Sequence, residues 1–185
     1  MTTALIIIDV QNAIVANTAT PERQPLVDAA LEAVVGRLAK LQERARNAGV
    51  SVVMVQHDGG AGDPLARGTE GWKIRSELAP LPGEPVVEKR SGDSFFDTDL
   101  EQRLSERSAT HLVIAGCQTQ FCVDTTVRRA VSLGYDVTLV GDGHTTSDRA
   151  GLTFEQIVAH HNATLDGFDA GKHIVQVKRA AEIAF

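Results

Sequence analysis

The sequence predicts a single-domain α/β protein with a doubly wound, mostly parallel sheet and helices on both faces. Three observations support this fold class. The chain has 185 residues, a length that suits one domain spanning 1–185. Hydrophobic residues make up 43% of it and charged residues 23%, as in ordinary globular proteins. Short apolar, β-branched runs alternate with amphipathic stretches, which is typical of a Rossmann-like sheet.

The amino-terminal half predicts three strands, one long helix and one long loop. The strands are the apolar runs at 4–10, 51–56 and 85–89. Apolar residues recur every three or four positions from Leu26 to Ala48, which indicates a helix. Pro25 suits the first turn of this helix and Gly49 its end. Residues 58–84 are rich in glycine and proline and predict a loop long enough to be functional.

The carboxyl-terminal half predicts three more strands and three helices. The strands are 111–116, 135–140 and 173–177. Thr98 with Glu101, and Thr153 with Gln156, have the spacing of capping boxes and predict two helix starts. A further helix is predicted over 122–133.

Composition excludes several classes of function. The net charge is −6 and no stretch is rich in lysine or arginine, which argues against a nucleic-acid partner. The longest apolar run is far too short to span a membrane, and the first residues lack the pattern of a signal peptide. The two cysteines are too few for a disulfide scaffold and predict a reducing cytoplasm. We therefore expect a cytoplasmic protein whose partner is a small molecule.

Three reactive side chains follow predicted strands. Ligands of open parallel sheets bind beyond the carboxyl ends of the strands, where Asp9, Lys89 and Cys122 are expected to meet. A thiol at a helix N-terminus has a pKa lowered to between roughly 3.5 and 7.5, so Cys122 is a candidate nucleophile. The alternative is a small buried side chain, the better interpretation of Cys117. Lys89 assists the reaction only if it lies closer to the sulfur, or to the developing oxyanion, than to Asp9.

Three segments, LIIIDVQNAI, EKRSGDSFFDTDLEQRL and GCQTQFCVDTTVRRAVSLGYDVTLVGDGHTT, resemble the isochorismatase-like cysteine hydrolases, a superfamily that includes nicotinamidases and streptothricin-hydrolase-like enzymes. The resemblance covers residues 4 to about 165. It implies a catalytic triad of Asp9, Lys89 and Cys122, a cis peptide before Gln118, and an oxyanion hole made by the backbone N–H groups of Gln118 and Cys122. It also implies a homodimer or homotetramer.

The resemblance implies an amidohydrolase that cleaves a C–N bond of a small amide or lactam. Metal-dependent nicotinamidases carry an Asp-x-His and further histidines after the second strand, whereas here only His57 and Asp58 stand there. We expect no metal and no cofactor. A ureido or carbamoyl amide hydrolase is an alternative, with Arg67, Arg75 and Arg90 as candidates for an acidic substrate. A catalytically idle binding or scaffold protein is another.

Four further residues are candidates for substrate binding. Gln11 and His57 follow predicted strands, Trp72 lies in the long loop, and Phe121 precedes the candidate nucleophile. Each has a structural alternative, since such side chains also fix loops or fill cores.

Overall fold

The structure, a computed structural model that describes residues 2–185, is built on one seven-stranded sheet. Its strands are β1 (Thr3–Ile8), β2 (Ser51–His57), β3 (Val86–Lys89), β4 (His111–Cys117), β5 (Asp136–Thr145), β6 (Asp169–Ala170) and β7 (His173–Lys178). The strand order is β3-β2-β1-β4-β5-β7-β6, and only β6 runs antiparallel to its neighbour. From β1 the chain adds β2 and β3 on one side, and from β4 it adds later strands on the other side. The direction of winding therefore reverses between β1 and β4, where open sheets of this type hold their ligands.

Helices cover both faces of the sheet. They are α1 (Gln24–Asn47), α2 (Leu100–Glu106), α3 (Asp124–Ser132) and α4 (Phe154–Leu165). Side chains of β1 alternate between two cores, because successive residues of a strand point to opposite faces. Leu5 and Ile7 pack with α1, while Ile6 and Ile8 pack with α2 and α3. The predicted fold class is confirmed.

The predicted elements differ from the structure in four places. β5 continues to Thr145 and is longer than predicted. The helix expected at Thr98 begins after Asp99, and no capping box forms there. The helix expected from Cys122 begins at Asp124, after one π-helical turn over Thr119–Val123. The short strand β6 was not predicted, whereas the capping box of Thr153 with Gln156 is confirmed.

The long loop over 58–84 is fixed by Asp58, which directly follows β2. Its carboxylate accepts the backbone N–H groups of Gly60 and Arg67 at 3.0 and 3.2 Å, and pairs with Arg90 at 2.7 Å. These contacts hold the loop against the carboxyl edge of the sheet. In residues 2–185, no helix has the length and apolar character needed to cross a membrane.

Candidate active site

The carboxyl edge of the sheet brings together the three reactive side chains that the sequence predicts there. Asp9 follows β1, Lys89 ends β3, and Cys122 lies in the π-helical turn after β4. Lys89 Nζ is 2.7 Å from Asp9 Oδ2 and 3.1 Å from Cys122 Sγ, and it donates to the carbonyl of Ser91 at 2.8 Å. The ammonium thus donates to the Ser91 carbonyl and the Cys122 sulfur and forms an ion pair with Asp9, whose two carboxylate oxygens are buried without a hydrogen-bond partner in the described part of the chain.

The Lys89 ammonium and the Asp9 carboxylate form a pair whose side chains are both 0% exposed. Lys89 lies closer to the Asp9 oxygen than to the Cys122 sulfur, so of the two predicted alternatives the nearer sulfur is not found, and the distance to a developing oxyanion stays a prediction. Burial raises the pKa of the Asp9 carboxyl, and the nearby ammonium opposes that rise. Burial alone would lower the pKa of Lys89, but the charges of Asp9 and Cys122 raise it above its usual value.

Asp9 has an unusual backbone conformation, with φ at 52°. This left-handed conformation is uncommon outside glycine, although aspartate tolerates it better than most residues. The backbone N–H of Asp9 donates to the carbonyl of Val55 at 2.9 Å, which ties the residue to β2. Asp9 thus turns the chain at the end of β1, and its carboxylate is buried beside Lys89.

The Cys122 thiol does not have the lowered pKa that the sequence predicts. Burial and the Asp9 carboxylate raise its pKa to about 12, against the opposing effect of Lys89. The expected helix N-terminus is absent, because α3 begins only after Cys122. Loss of the thiol proton to solvent would add a negative charge to a buried site. Transfer to Asp9 leaves the net charge of the three groups at zero, so that route avoids this cost.

The turn before Cys122 is held close to β1. A cis peptide joins Cys117 to Gln118, as the resemblance implies. Gly116 has φ at 128°, and a Cβ placed there would lie 2.0 Å from the carbonyl oxygen of Ile8. The Gln118 side chain donates to the carbonyl of Ile14 at 2.6 Å. The turn is therefore fixed by both a backbone approach and a side-chain bond.

A cavity of about 490 Å³ lies over Asp9 and Cys122. The long loop contributes 63–65 to its wall, which gives that loop a place in the site. Ala13, Ile14 and Ala16 add apolar surface to the wall. The predicted substrate-binding residues His57 and Phe121 both line the cavity. His57 Nδ1 is buried without a hydrogen-bond partner, and burial lowers the pKa of this imidazole.

Gln11 and Trp72, by contrast, are not among the residues that line the cavity. The Gln11 side chain is buried, donates to the carbonyls of His57 and Trp72 at 2.9 and 2.7 Å, and accepts the N–H of His57 at 2.9 Å. In this structure it joins the long loop to β2. The Trp72 carbonyl accepts hydrogen bonds from the side chains of Gln11 and Gln56, and its indole nitrogen is buried.

The arginine at the cavity is Arg149, which the sequence analysis missed. Its guanidinium lies 5.0 Å from the ring centroid of Phe121, and within the described residues it forms no salt bridge. The three arginines proposed from the sequence are each paired with carboxylates: Arg67 with Glu88, Arg75 with Glu32 and Glu77, and Arg90 with Asp58. Arg149 follows β5, and the underestimated length of that strand hid its proximity to the edge.

The donor set of the site is poor in metal ligands. Within residues 2–185, no group of three or more histidine, cysteine, aspartate or glutamate side chains is arranged to hold a metal ion. The Asp58 carboxylate, which the sequence places beside His57, is occupied by Arg90 and the loop amides.

Comparison with known proteins identifies the class to which this fold and site belong. An isochorismatase domain is matched over residues 3–180. An isochorismatase structure from Pseudomonas putida superimposes with a TM-score of 0.84 at 28% identity, covering 98% of this chain and 90% of that one. The chain belongs to the isochorismatase family, so the predicted family is confirmed.

Two relatives are named as hydrolases. Streptothricin hydrolase of Streptomyces noursei is 35% identical over 185 residues, which cover 98% of this chain but only 64% of that protein. This chain therefore spans less than two thirds of that relative. The ureidoacrylate amidohydrolase RutB of Stutzerimonas stutzeri is 28% identical over 189 residues, covering 86% of this chain and 75% of that protein.

Proposed function

We propose that this protein is a cysteine amidohydrolase that cleaves a C–N bond of a small amide or lactam through a thioester on Cys122. The observation that carries the proposal is the position of Lys89 Nζ, within 2.7 Å of Asp9 Oδ2 and 3.1 Å of Cys122 Sγ. Asp9 and Cys122 both open onto the cavity of about 490 Å³. The names of two relatives, a hydrolase and an amidohydrolase, support this reaction class.

Acylation begins with transfer of the thiol proton to Asp9 as the Cys122 sulfur attacks the amide carbon. An S–C bond forms, and the carbonyl oxygen becomes an oxyanion that accepts from the backbone N–H groups of Gln118 and Cys122. Such donors usually supply the largest electrostatic contribution to the rate. Asp9 then protonates the leaving nitrogen and the C–N bond breaks. Lys89 stays charged throughout and balances whichever of the two groups is anionic.

Deacylation reverses these roles with water as the nucleophile. Asp9 accepts a proton from water as the C–O bond forms on the thioester carbon. The C–S bond then breaks, and the proton returns from Asp9 to the Cys122 sulfur. Each proton transfer has Asp9 as donor or acceptor, with Cys122, the leaving nitrogen or water as the other group. No step requires a metal ion or an organic cofactor.

The test is detection of the acyl-enzyme by intact-protein mass spectrometry during incubation with primary carboxamides, δ-lactams and N-carbamoyl amino acids. We expect hydrolysis of at least one class, with a transient mass gain on Cys122. Cys122→Ser should lose both signals, whereas Cys117→Ala should keep them, because Cys117 is fully buried in the α1 core. Near-normal hydrolysis by Cys122→Ser would overturn the proposal. If every substrate stays intact and Cys122 resists acylation, a binding or scaffold protein becomes the better interpretation.

A second candidate is a ureido or carbamoyl amide hydrolase acting on a carboxylate-bearing substrate. The exposed Arg149 guanidinium at the cavity favours it, since it has no carboxylate partner among the described residues. The name of the ureidoacrylate amidohydrolase adds support. Arg149→Gln should raise KM about tenfold for an N-carbamoyl amino acid and leave KM for its methyl amide unchanged. Equal changes for both substrates would exclude this candidate.

We also propose that the working form is a homodimer or homotetramer in the cytoplasm, with a small amide as its partner. The two cysteines are both free, which fits a reducing compartment. Light scattering of the purified chain measures the oligomeric state, and a purely monomeric mass would overturn this part of the proposal.

A further inference from the structure

A series of hydrogen bonds, buried at its Thr119 and His144 end, lies behind the turn that carries Cys122. The Thr119 hydroxyl is 2.9 Å from His144 Nδ1, His144 Nε2 is 2.9 Å from Asn162 Oδ1, and Asn162 Nδ2 donates to the carbonyl of Gly141 at 2.9 Å. Thr119 and His144 are 1% and 2% exposed. Neither lines the cavity over Cys122. The mechanism proposed above uses none of these side chains.

The direction of each hydrogen bond follows from the last one. Because Asn162 Nδ2 donates to Gly141, its Oδ1 must be the acceptor for His144 Nε2–H. An uncharged imidazole with its proton on Nε2 has a lone pair on Nδ1, so the Thr119 hydroxyl donates to it. Burial lowers the pKa of His144 to about 4, and the imidazole is therefore uncharged at neutral pH. Every hydrogen bond from Thr119 to Gly141 therefore has a defined donor and acceptor.

An irregularity in the sheet puts His144 at this position. Ile114 of β4 pairs with Leu139 of β5, but Gly116, only two residues later, pairs with His144. The extra residues of β5 carry His144 forward to the carboxyl edge, beside the start of the nucleophile turn. Register irregularities of this kind frequently redirect a side chain next to an active site.

We propose that His144 is a positioning residue for the nucleophile turn. By accepting from Thr119, its imidazole fixes the backbone between Gln118 and Cys122, whose N–H groups are proposed to bind the oxyanion. The inference rests on the proposed function, because the turn that His144 positions carries the oxyanion hole of that reaction. The Gln118 side chain, which donates to Ile14, gives the same turn a second contact.

Two probes separate oxyanion binding from thiol reactivity without a known substrate. Acylation of Cys122 by p-nitrophenyl acetate passes through a tetrahedral oxyanion, whereas alkylation by iodoacetamide does not. His144→Leu removes the acceptor, and Thr119→Val removes the donor with little change of shape. We expect both variants to slow acylation about tenfold to a hundredfold, as small misplacements in active sites do, with alkylation changed less than twofold. His144→Asn, which can offer an amide oxygen near the Nδ1 position, should restore most of the acylation rate.

The chain provides a matched control at the opposite end of the sheet. His111 Nε2 is 2.9 Å from the Thr138 hydroxyl, far along the strands from Cys122. His111→Leu should leave both rates unchanged. The double variant of His144→Leu with Thr119→Val should be no slower than either single variant, because the two act through one bond.

Several outcomes would overturn the inference. These are equal loss of acylation and alkylation, fully additive losses in the double variant, and an equal loss in the His111 control. If acylation persists in Cys122→Ala, or if wild-type protein fails on every amide, the proposed function fails instead. The acylation-to-alkylation ratio at Cys122 distinguishes these two kinds of failure.

Discussion

Lys89 and Arg90 are neighbours in sequence, and each pairs with an aspartate that follows a strand. Lys89 Nζ lies 2.7 Å from Asp9, and the Arg90 guanidinium lies 2.7 Å from Asp58. Both side chains of the first pair are fully buried, whereas the Arg90 side chain is 78% exposed. Equal distances therefore conceal unequal surroundings, because water screens the second pair and not the first.

The difference assigns the two pairs to different roles. A buried pair stores a large desolvation cost, so removing one partner leaves an uncompensated charge. The Asp9 carboxylate can therefore stay charged beside the Cys122 thiol only while Lys89 is present. The Arg90 pair, in contrast, only helps to hold the long loop through Asp58.

The largest expected effect follows Lys89→Met, which makes the buried pair a lone carboxylate. Turnover should fall by roughly 10³-fold or more, because the proposed nucleophile Cys122 loses its charged partner. The free energy of unfolding should fall by about 3–5 kcal/mol. Urea denaturation measures this, and the matched control is the double variant of Lys89→Met with Asp9→Asn, which should recover much of the stability. Equal stability of the single and double variants would show that Asp9 is not held as a buried charge.

A smaller effect concerns the Cys122 thiol in the same buried site. Its pKa is raised to about 12 in the folded protein, so the unfolded chain loses this proton first as pH rises past about 9. Folding stability from this group is thus fully present below pH 9 and is lost between pH 9 and 12. Wild type should lose up to about 1.4 kcal/mol per pH unit more than Cys122→Ser in that window. Parallel pH profiles of the two proteins in urea denaturation would contradict the raised pKa.

The raised pKa of the Asp9 carboxyl gives a related prediction for activity. The proposed mechanism requires the base form of Asp9 for attack, so kcat/KM should fall as pH drops, with a midpoint above the ordinary aspartate value of 3.8. The sign follows from burial, which favours the protonated form. A rate profile between pH 3 and 8 measures it, and a midpoint at or below 3.8 would assign the base role elsewhere.

The smallest effect should follow Arg90→Met on the exposed pair. Turnover should stay within about twofold of wild type, since screened pairs contribute little. Asp58→Asn should act more strongly on the loop, because it weakens the contacts to Gly60 and Arg67 as well. Limited proteolysis across 58–84 compares the two variants. Greater cleavage in Arg90→Met than in Asp58→Asn would show that Arg90, and not Asp58, holds the loop.

Much of the fold could be predicted from local pattern. Parallel strands are buried on both faces and therefore appear as apolar runs, which is why β1, β2 and β4 were found close to their observed bounds. The rule that ligands bind beyond strand ends then brought Asp9, Lys89 and Cys122 to one edge. Both inferences need only neighbouring residues and a general topology.

What failed depended on distant contacts. The end of β5 carries glycines and polar residues, and only its pairing with β4 keeps it extended to Thr145. The pKa of Cys122 depends on burial and on Asp9, which the sequence separates by more than a hundred positions. Arg149 was missed for the same reason, since its neighbour Phe121 belongs to another element.

The absence of a side chain at Gly116 has a consequence for redesigning this protein. With a Cβ position only 2.0 Å from the Ile8 carbonyl oxygen, the two central strands touch backbone to backbone immediately before Asp9 and the nucleophile turn. Main-chain atoms of β1 and β4 therefore set the distance between the Asp9 carboxylate and the Cys122 thiol, and a side-chain substitution cannot shorten it. New specificity is best sought in the cavity wall at 63–65 and Arg149, while position 116 should tolerate nothing larger than hydrogen.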